Sequence, residues 1–131
     1  MAEAPSKAGA IAERVRAALE SADLTAIAEL LDPNVRWGAP DDRAPGCQNR
    51  DQVLTWYRRG RAGGVRARVT EMVVHGDKIL VGLKVVGNRA AEDPGGEADR
   101  WQVLTIRGGH IVDIRGFDER SDAISRAGAG A

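Results

Sequence analysis

Three tryptophans, Trp37, Trp56 and Trp101, are the residues best suited to form a functional site. Each lies in a stretch whose pattern predicts a helix or a strand. Aromatic walls with few polar groups are typical of small-molecule sites. The three indoles could therefore line a cavity for a flat hydrophobic ligand, or they could fill the same space as part of the hydrophobic core. The sequence leaves both possibilities open.

Charged and nucleophilic residues are weaker candidates. Asp41, Asp42 and Arg43 lie in a Pro- and Gly-containing loop after Trp37, where plain solvation competes with a role at a cavity mouth. Cys47 lies at the end of the same loop. A nucleophilic thiol needs a neighbouring base, and the sequence places none beside Cys47.

Both histidines, His75 and His110, are next to a glycine at a predicted turn, which favours surface positions. No grouping of His, Asp, Glu and Cys has the spacing of a metal-ligand set. The sequence therefore predicts no metal and no cofactor.

Composition narrows the class of protein. The chain has 131 residues, enough for one domain with its own core. It carries 19 basic and 19 acidic residues, so nothing in its charge favours nucleic acid or an anionic membrane as a partner. A single cysteine excludes an intrachain disulfide and fits a reducing cytosol. No apolar run approaches the roughly 18–20 residues of a membrane span, and no secretion signal is recognisable. We expect a soluble, cytoplasmic protein.

The first half of the chain predicts three helices. Ile11, Val15 and Leu19 recur every four residues and form the apolar stripe of an amphipathic helix. Asp23 is placed to cap a second, short helix. Asn49, followed three residues later by Gln, is placed to cap a third. The segment 35–37 between the second and third helices predicts a short strand.

From about residue 65 the apolar period changes to two, which predicts strands over 65–74 and 78–86 and a final hairpin over 101–118. The pattern indicates an α+β fold with three N-terminal helices packed on one face of a curved, mostly antiparallel sheet. We expect a disordered N-terminus over 1–8, one domain over 9–122 and a flexible tail over 123–131.

The final hairpin fixes which side chains share a face. Gly108 and Gly109 can adopt the positive φ angles of a tight turn. With these two residues in the turn, the cross-strand pairs are Arg107 with His110, Thr105 with Val112, Val103 with Ile114, and Trp101 with Gly116. This face is predicted to look inward, with the Trp101 indole above Gly116. The opposite, outward face then carries Arg100, Gln102, Leu104, Ile106, Ile111, Asp113, Arg115 and Phe117, and Asp113 and Arg115 are expected to form a surface ion pair.

Three phrases give the chain a family resemblance: AALESADLTAIAELLDPNVRW, PGCQNRDQVLTWY and GHIVDIRGFD. Their order and spacing over residues 11–120 resemble the nuclear transport factor 2-like superfamily, and within it the SnoaL-like and ketosteroid-isomerase-like proteins. The resemblance implies a cone-shaped, cystatin-like α+β barrel with a pocket between helices and sheet. It also implies a homodimer formed through the outer sheet face, which the outward apolar residues of the hairpin would suit.

The same resemblance identifies the positions at which relatives carry acid–base groups. The first-helix tyrosine of ketosteroid-isomerase-like proteins aligns with Val15, and their general-base aspartate aligns with Trp37. The late-strand carboxylate of SnoaL-like cyclases aligns with Gly116. General acid–base catalysis requires a titratable group aimed at the reacting atom. No catalytic residue is therefore assigned.

These observations predict a SnoaL-like domain that binds a small hydrophobic molecule without the acid–base residues of its enzyme relatives. The candidate pocket residues are Val15, Trp37, Trp56, Tyr57, Trp101, Val103, Ile114 and Gly116. Two alternatives remain. One is an isomerase, cyclase or hydrolase of a lipophilic metabolite that uses displaced groups such as Asp41, Asp42, Cys47 or Tyr57. The other is an interaction module that uses the outer sheet face.

Overall fold

A computed structural model describes residues 7–21, 23–39, 46–64, 66–86 and 97–128. Over these residues the elements follow in the order α1 (Lys7–Ser21), α2 (Leu24–Leu30), β1 (Leu31–Gly38), α3 (Arg50–Ala62), β2 (Arg66–His75), β3 (Lys78–Val86), β4 (Glu97–Arg107), β5 (His110–Phe117) and α4 (Arg120–Ala127). The predicted α+β class and the three N-terminal helices are confirmed.

The five strands form one sheet in the order β1-β5-β4-β3-β2. The four later strands are an antiparallel meander, as the sequence predicts, and β1 pairs with β5 in parallel. The chain enters β1 directly from the end of α2, so β1 is longer than the segment 35–37 that the sequence indicates.

The predicted helix starts at α2 and α3 are confirmed by their side-chain hydrogen bonds. The Asp23 carboxylate accepts from the backbone N–H groups of Thr25 (3.0 Å) and Ala26 (3.2 Å). The Asn49 side chain accepts from the backbone N–H of Gln52 (2.9 Å). These bonds satisfy donors that have no partner inside the helix, and each fixes the residue at which its helix begins.

Apolar residues are buried on both faces of the sheet. Ile79 and Val81 of β3 belong to the main core, which also contains buried residues of α1, α2 and α3. Leu80, between them, belongs to a second core cluster with Val103, Phe117, Ala123 and Ala127. Because successive side chains of a strand point to opposite faces, the three N-terminal helices cover one face of the sheet and α4 covers part of the other.

The hairpin register differs from the predicted one beyond the turn. Gly108 and Gly109 have positive φ angles of 60° and 82°, and Arg107 pairs with His110 as expected. Ile106 then pairs with Ile111 and Thr105 with Asp113, so Val112 is an extra residue in β5. Such a β-bulge shifts all later pairs by one. Val103 consequently pairs with Arg115, and Trp101 pairs with Phe117.

The bulge also corrects the assignment of faces. Leu104, Ile106 and Ile111, predicted to face outward, are buried in the main core. Val103, predicted to face the pocket, packs in the second cluster on the opposite face, and Phe117 is in that cluster too. The outward apolar set proposed for a dimer interface is therefore internal. The homodimer itself stays a prediction.

Helix α4 occupies part of the segment expected to be a flexible tail. Ala123 is fully buried, Ala127 is 4% exposed, and Gly128 ends the helix in the left-handed conformation. The helix packs through alanines four residues apart, a pattern with few large apolar side chains and hence a weak sequence signal. None of the helices in the described segments is long and apolar enough to cross a membrane.

Candidate ligand-binding site

A cavity of about 370 Å³ lies between the N-terminal helices and the sheet. All three N-terminal helices and all five strands contribute to its wall. Its apolar lining consists of Leu19, Leu24, Ile27, Trp37, Trp56, Tyr57, Ala67, Leu83, Val85, Trp101 and Phe117. Of the two arrangements that the sequence left open, an open cavity and a cone filled by tryptophan, the structure has the open cavity.

Three aromatic rings form one side of the cavity. The Trp37 ring centroid on β1 is 5.1 Å from that of Tyr57 and 6.3 Å from that of Trp56, both on α3. The Trp37 and Trp56 rings meet edge to face, with an interplanar angle of 85°. Trp56 is 59% exposed. The group thus presents a large aromatic surface that the protein itself does not cover.

Backbone pairing holds β1 next to the start of α3. Trp37 and Cys47 exchange two backbone hydrogen bonds, with N···O distances of 2.9 Å and 3.1 Å. Asn49 caps α3 two residues after Cys47. Because this short bridge and the cap fix the entry of α3, Trp56 and Tyr57 are carried to a defined place against Trp37.

The strands form the opposite wall. Gln102 of β4 and Gly116 of β5 are paired and both line the cavity. A Cβ atom added at Gly116 would have no neighbour within 4 Å. The bare backbone at Gly116 therefore leaves space open at this part of the wall.

A narrow extension of about 20 Å³ adjoins the cavity. Tyr57 and Gln102 line both spaces and are the polar residues that line the extension. The other residues that line the extension are apolar: Val15, Ala18, Leu19, Ile27, Leu30, Leu31, Leu104, Ile111 and Ile114. Burial, with a smaller contribution from nearby Cys47, raises the pKa of the Tyr57 hydroxyl far above its ordinary value. Tyr57 is thus a neutral hydrogen-bond donor here.

The predicted pocket residues separate into three groups in the structure. Trp37, Trp56, Tyr57, Trp101 and Gly116 line the main cavity. Val15 and Ile114 line the extension. Val103 is on the far face of the sheet, because the sequence register did not include the bulge at Val112.

Trp101 lies at the cavity wall but is held from the other side of the sheet. Its indole N–H donates to a Glu71 carboxylate oxygen at 3.2 Å, and the residue packs against the second core cluster. A Cβ atom on Gly82 would be 3.3 Å from the indole nitrogen. The glycine that makes room for this indole is Gly82 of β3, and not Gly116 as expected.

Sequence reasoning missed several polar residues of the lining: Glu20, Arg61, Arg66, Arg100, Gln102 and Asp118. Gln102 was predicted to face outward because the predicted register did not include the bulge at Val112, which is also why Val103 was predicted to face the pocket. Asp118 directly follows the last strand and lies within reach of Arg100, at 3.5 Å. The loop candidates Asp41, Asp42 and Arg43 lie outside the described residues.

Cys47 borders a separate groove of about 350 Å³, which shares Trp56 with the lining of the main cavity. Gly46, Cys47, Asp51, Gln52, Thr55, Trp56 and Arg59 line this groove. Burial raises the pKa of the Cys47 thiol, which disfavours the reactive thiolate. The groove therefore offers no activated nucleophile at Cys47.

Comparison with known proteins gives the architecture a family context. Residues 12–114 match the family model described as a SnoaL-like domain. No curated protein matches the chain.

Solved structures show the same fold. A candidate polyketide cyclase from Sinorhizobium meliloti is 26% identical, with a TM-score of 0.65 over 82% of this chain and 94% of that one. A candidate ketosteroid isomerase from Kribbella flavida is 17% identical, with a TM-score of 0.71 over 88% and 80%. A protein with a cystatin-like fold from Xanthomonas campestris is 19% identical, with a TM-score of 0.65 over 87% and 94%. These likenesses confirm the predicted NTF2-like, cystatin-like architecture.

Proposed function

Because this chain belongs to the SnoaL-like domain family, we propose that it binds a small, flat and largely apolar molecule between Trp37, Trp56 and Tyr57. One observation carries the proposal: a cavity of about 370 Å³ stands open between helices and sheet, with aromatic rings along one side. This volume is at the lower end of the range of about 300–1,000 Å³ typical of ligand pockets.

The exposed ring of Trp56 supports the same proposal. Removing apolar surface from water contributes about 25 cal/mol per Å², and a tryptophan offers more of that surface than other side chains. A flat ligand seated against Trp37 and Trp56 would cover area that is in contact with water in the free protein. Part of this gain is lost to the ordering that binding requires.

We propose binding without the acid–base chemistry of the enzyme relatives. The positions that align with their acid–base groups hold Val15, Trp37 and Gly116, which cannot transfer a proton at ordinary pH. Of the described lining residues, the carboxylates are Glu20 and Asp118, and both are exposed. Neither carboxylate is enclosed in the apolar surroundings in which a general acid of this kind would be held against the substrate.

Catalysis is the second candidate, and Asp118 is the observation that favours it. This carboxylate lines the cavity two residues after Gly116 and lies 3.5 Å from Arg100. A late-strand carboxylate displaced by two positions could serve as an acid or base. In that case Asp118→Asn would abolish turnover of a polyketide or steroid substrate and leave its binding intact. Retention of turnover in this variant would exclude Asp118 from the chemistry.

Tryptophan fluorescence tests the binding proposal directly. We expect steroids and polyketides from a hydrophobic panel to quench or shift the emission of Trp37 and Trp56 in a saturable way. Trp101→Phe is the matched control, because its indole is held by Glu71 and packs with the second cluster. This variant should keep the ligand response.

The double variant Trp37→Phe/Trp56→Phe should lose most of the response while calorimetry still detects ligand. The absence of saturable binding by calorimetry across the panel would overturn the proposal. A response carried entirely by Trp101, which also lines the cavity, would overturn the placement of the ligand against Trp37 and Trp56.

A further inference from the structure

We propose that the ligand carries a carbonyl oxygen, which enters the narrow extension and accepts hydrogen bonds from the Tyr57 hydroxyl and the Gln102 amide. This inference rests on the proposed function and specifies which end of the ligand enters first. It assigns the recognition of this oxygen to Tyr57 on α3 and Gln102 on β4, which line the same small space.

The first observation is the hydrogen-bonding state of the two side chains. Over the described part of the chain, neither the Tyr57 hydroxyl nor the Gln102 amide has a side-chain hydrogen bond. Polar groups away from bulk water are nearly always hydrogen-bonded in folded proteins. Both residues are half-buried and line the same space, so a ligand that fills this space must supply the hydrogen-bond partner that water supplies in the free protein.

The second observation is the size of the extension. A volume of about 20 Å³ is enough for one water-sized group, for which the lower limit is about 10–15 Å³. A ring cannot enter such a space, whereas a single oxygen can. The remainder of the ligand would then stay in the main cavity, next to the aromatic residues.

The third observation is the donor character of the pair. The raised pKa of the Tyr57 hydroxyl keeps its proton in place at ordinary pH, so that it donates. The Gln102 amide nitrogen carries two N–H donors. Cys47, the titratable group that interacts with Tyr57, also has a raised pKa and is a neutral thiol. A carbonyl oxygen has two lone pairs and can accept from both donors at once.

Recognition by hydrogen bonds would make the site selective. A site built to hydrogen-bond a substrate group discriminates strongly against the analogue that lacks it, because its own polar groups are left without partners. A hydrocarbon of the same shape would enter the main cavity and leave both Tyr57 and Gln102 unsatisfied.

The test compares 1-tetralone with tetralin, two bicyclic probes that differ in one carbonyl group. Isothermal calorimetry on the intact wild-type chain should show the ketone binding roughly tenfold or more tightly, since each neutral hydrogen bond contributes up to about tenfold. Tyr57→Phe and Gln102→Leu should each remove a large part of this preference without weakening tetralin. Thr105→Val is the control, because it removes a polar group from the opposite face of the same strand and should leave the preference unchanged.

Each result bears on one claim. Equal affinity of the two probes in the wild-type protein would overturn the carbonyl inference and leave the binding function standing. If neither probe binds, both the binding function and the carbonyl inference are overturned for this ligand class. A crystal structure of the tetralone complex with the oxygen outside the extension, and a trapped water between Tyr57 and Gln102, would also overturn the inference.

Discussion

Glu71 links three elements of the outer sheet face through its carboxylate. One oxygen accepts from the Arg120 guanidinium at 2.6 Å and from the Trp101 indole at 3.2 Å, and the other accepts from Arg120 at 3.1 Å. The hydrogen bonds from Arg120 hold the pKa of Glu71 below its usual value, against a smaller opposing effect of burial. Strand β2, strand β4 and the start of helix α4 therefore meet at one ionised group.

This lowered pKa predicts an acid-dependent contribution to stability. The folded state favours the ionised form of Glu71, so the stabilisation is complete above the unfolded-state pKa of about 4.3 and is lost as the pH falls through the folded-state pKa. We expect Glu71→Gln to reduce stability at neutral pH and to flatten the fall in stability on acidification. Thermal unfolding measured across the acid range checks this.

Arg120→Gln is the matched variant for that experiment. It removes the partner that lowers the pKa of Glu71 and should flatten the acid dependence in the same way, and the double variant should add little. Unchanged acid dependence in both single variants would contradict the assignment. The pair is partly exposed, so the effect is expected to be modest and to weaken at high salt.

The two strand glycines near Trp101 predict opposite responses to substitution. A Cβ atom at Gly82 would be 2.8 Å from both the Glu71 Cγ and the Thr70 Oγ1 atoms and 3.3 Å from the Trp101 indole nitrogen. We expect Gly82→Ala to destabilise the protein by about 1–3 kcal/mol, because several neighbours must move. Urea unfolding at neutral pH measures the change.

Gly116→Ala is the control, since it makes the same chemical change on β5, two strands away from β3, where nothing lies within 4 Å of the added Cβ atom. It should leave the free energy of unfolding nearly unaltered. A larger loss at Gly116 than at Gly82 would show that the Trp101 indole lies over Gly116, as the uncorrected hairpin register predicts.

At the scale of elements, helix starts and the hairpin turn were predictable and strand faces were not. Asp23, Asn49 and the glycine pair at 108–109 act through hydrogen bonds and φ angles within a few residues, so their signals are local. The bulge at Val112 depends on how β5 fits β4 and β1 together. No residue type in the sequence indicates this bulge. The bulge reverses the relation between the faces of β4 and β5 for the pairs beyond it.

Helix α4 is the element whose removal should be most informative. It covers Leu80, Val103 and Phe117 through its buried alanines. A chain ending at Asp118 would expose this cluster to water, and exposed apolar patches promote association. We expect the truncated chain to be less stable and to form a larger particle than the full chain in sedimentation velocity at the same concentration.

Deletion of residues 129–131 alone is the control and should change neither property. If the truncated chain keeps the sedimentation coefficient and stability of the full chain, then α4 is not needed to cover the second core cluster. The measurement on the full chain also tests the predicted homodimer, whose proposed apolar interface residues are internal in this fold.

At the scale of the whole molecule, one sheet separates two apolar clusters of unequal size. The larger one, under α1, α2 and α3, is adjoined by the cavity of about 370 Å³; the smaller one lies under α4. The ion pair of Asp113 and Arg115, expected at the surface, is mostly covered: Arg115 is 8% exposed and also donates to the backbone carbonyl of Ala39 at 2.8 Å. Packing on both faces of the sheet makes a nominally surface pair part of the interior.

The sequence by itself determined the fold class, the starts of α2 and α3, the antiparallel meander and the family resemblance, because all of these depend on local residue patterns and their order. Only the tertiary structure decided that the cone is open, that Gln102 faces it, and that the Trp101 indole is held by Glu71. An open cavity depends on how far helices and sheet stand apart, and the face of a side chain depends on strand register. Both are set by contacts between residues distant in the chain.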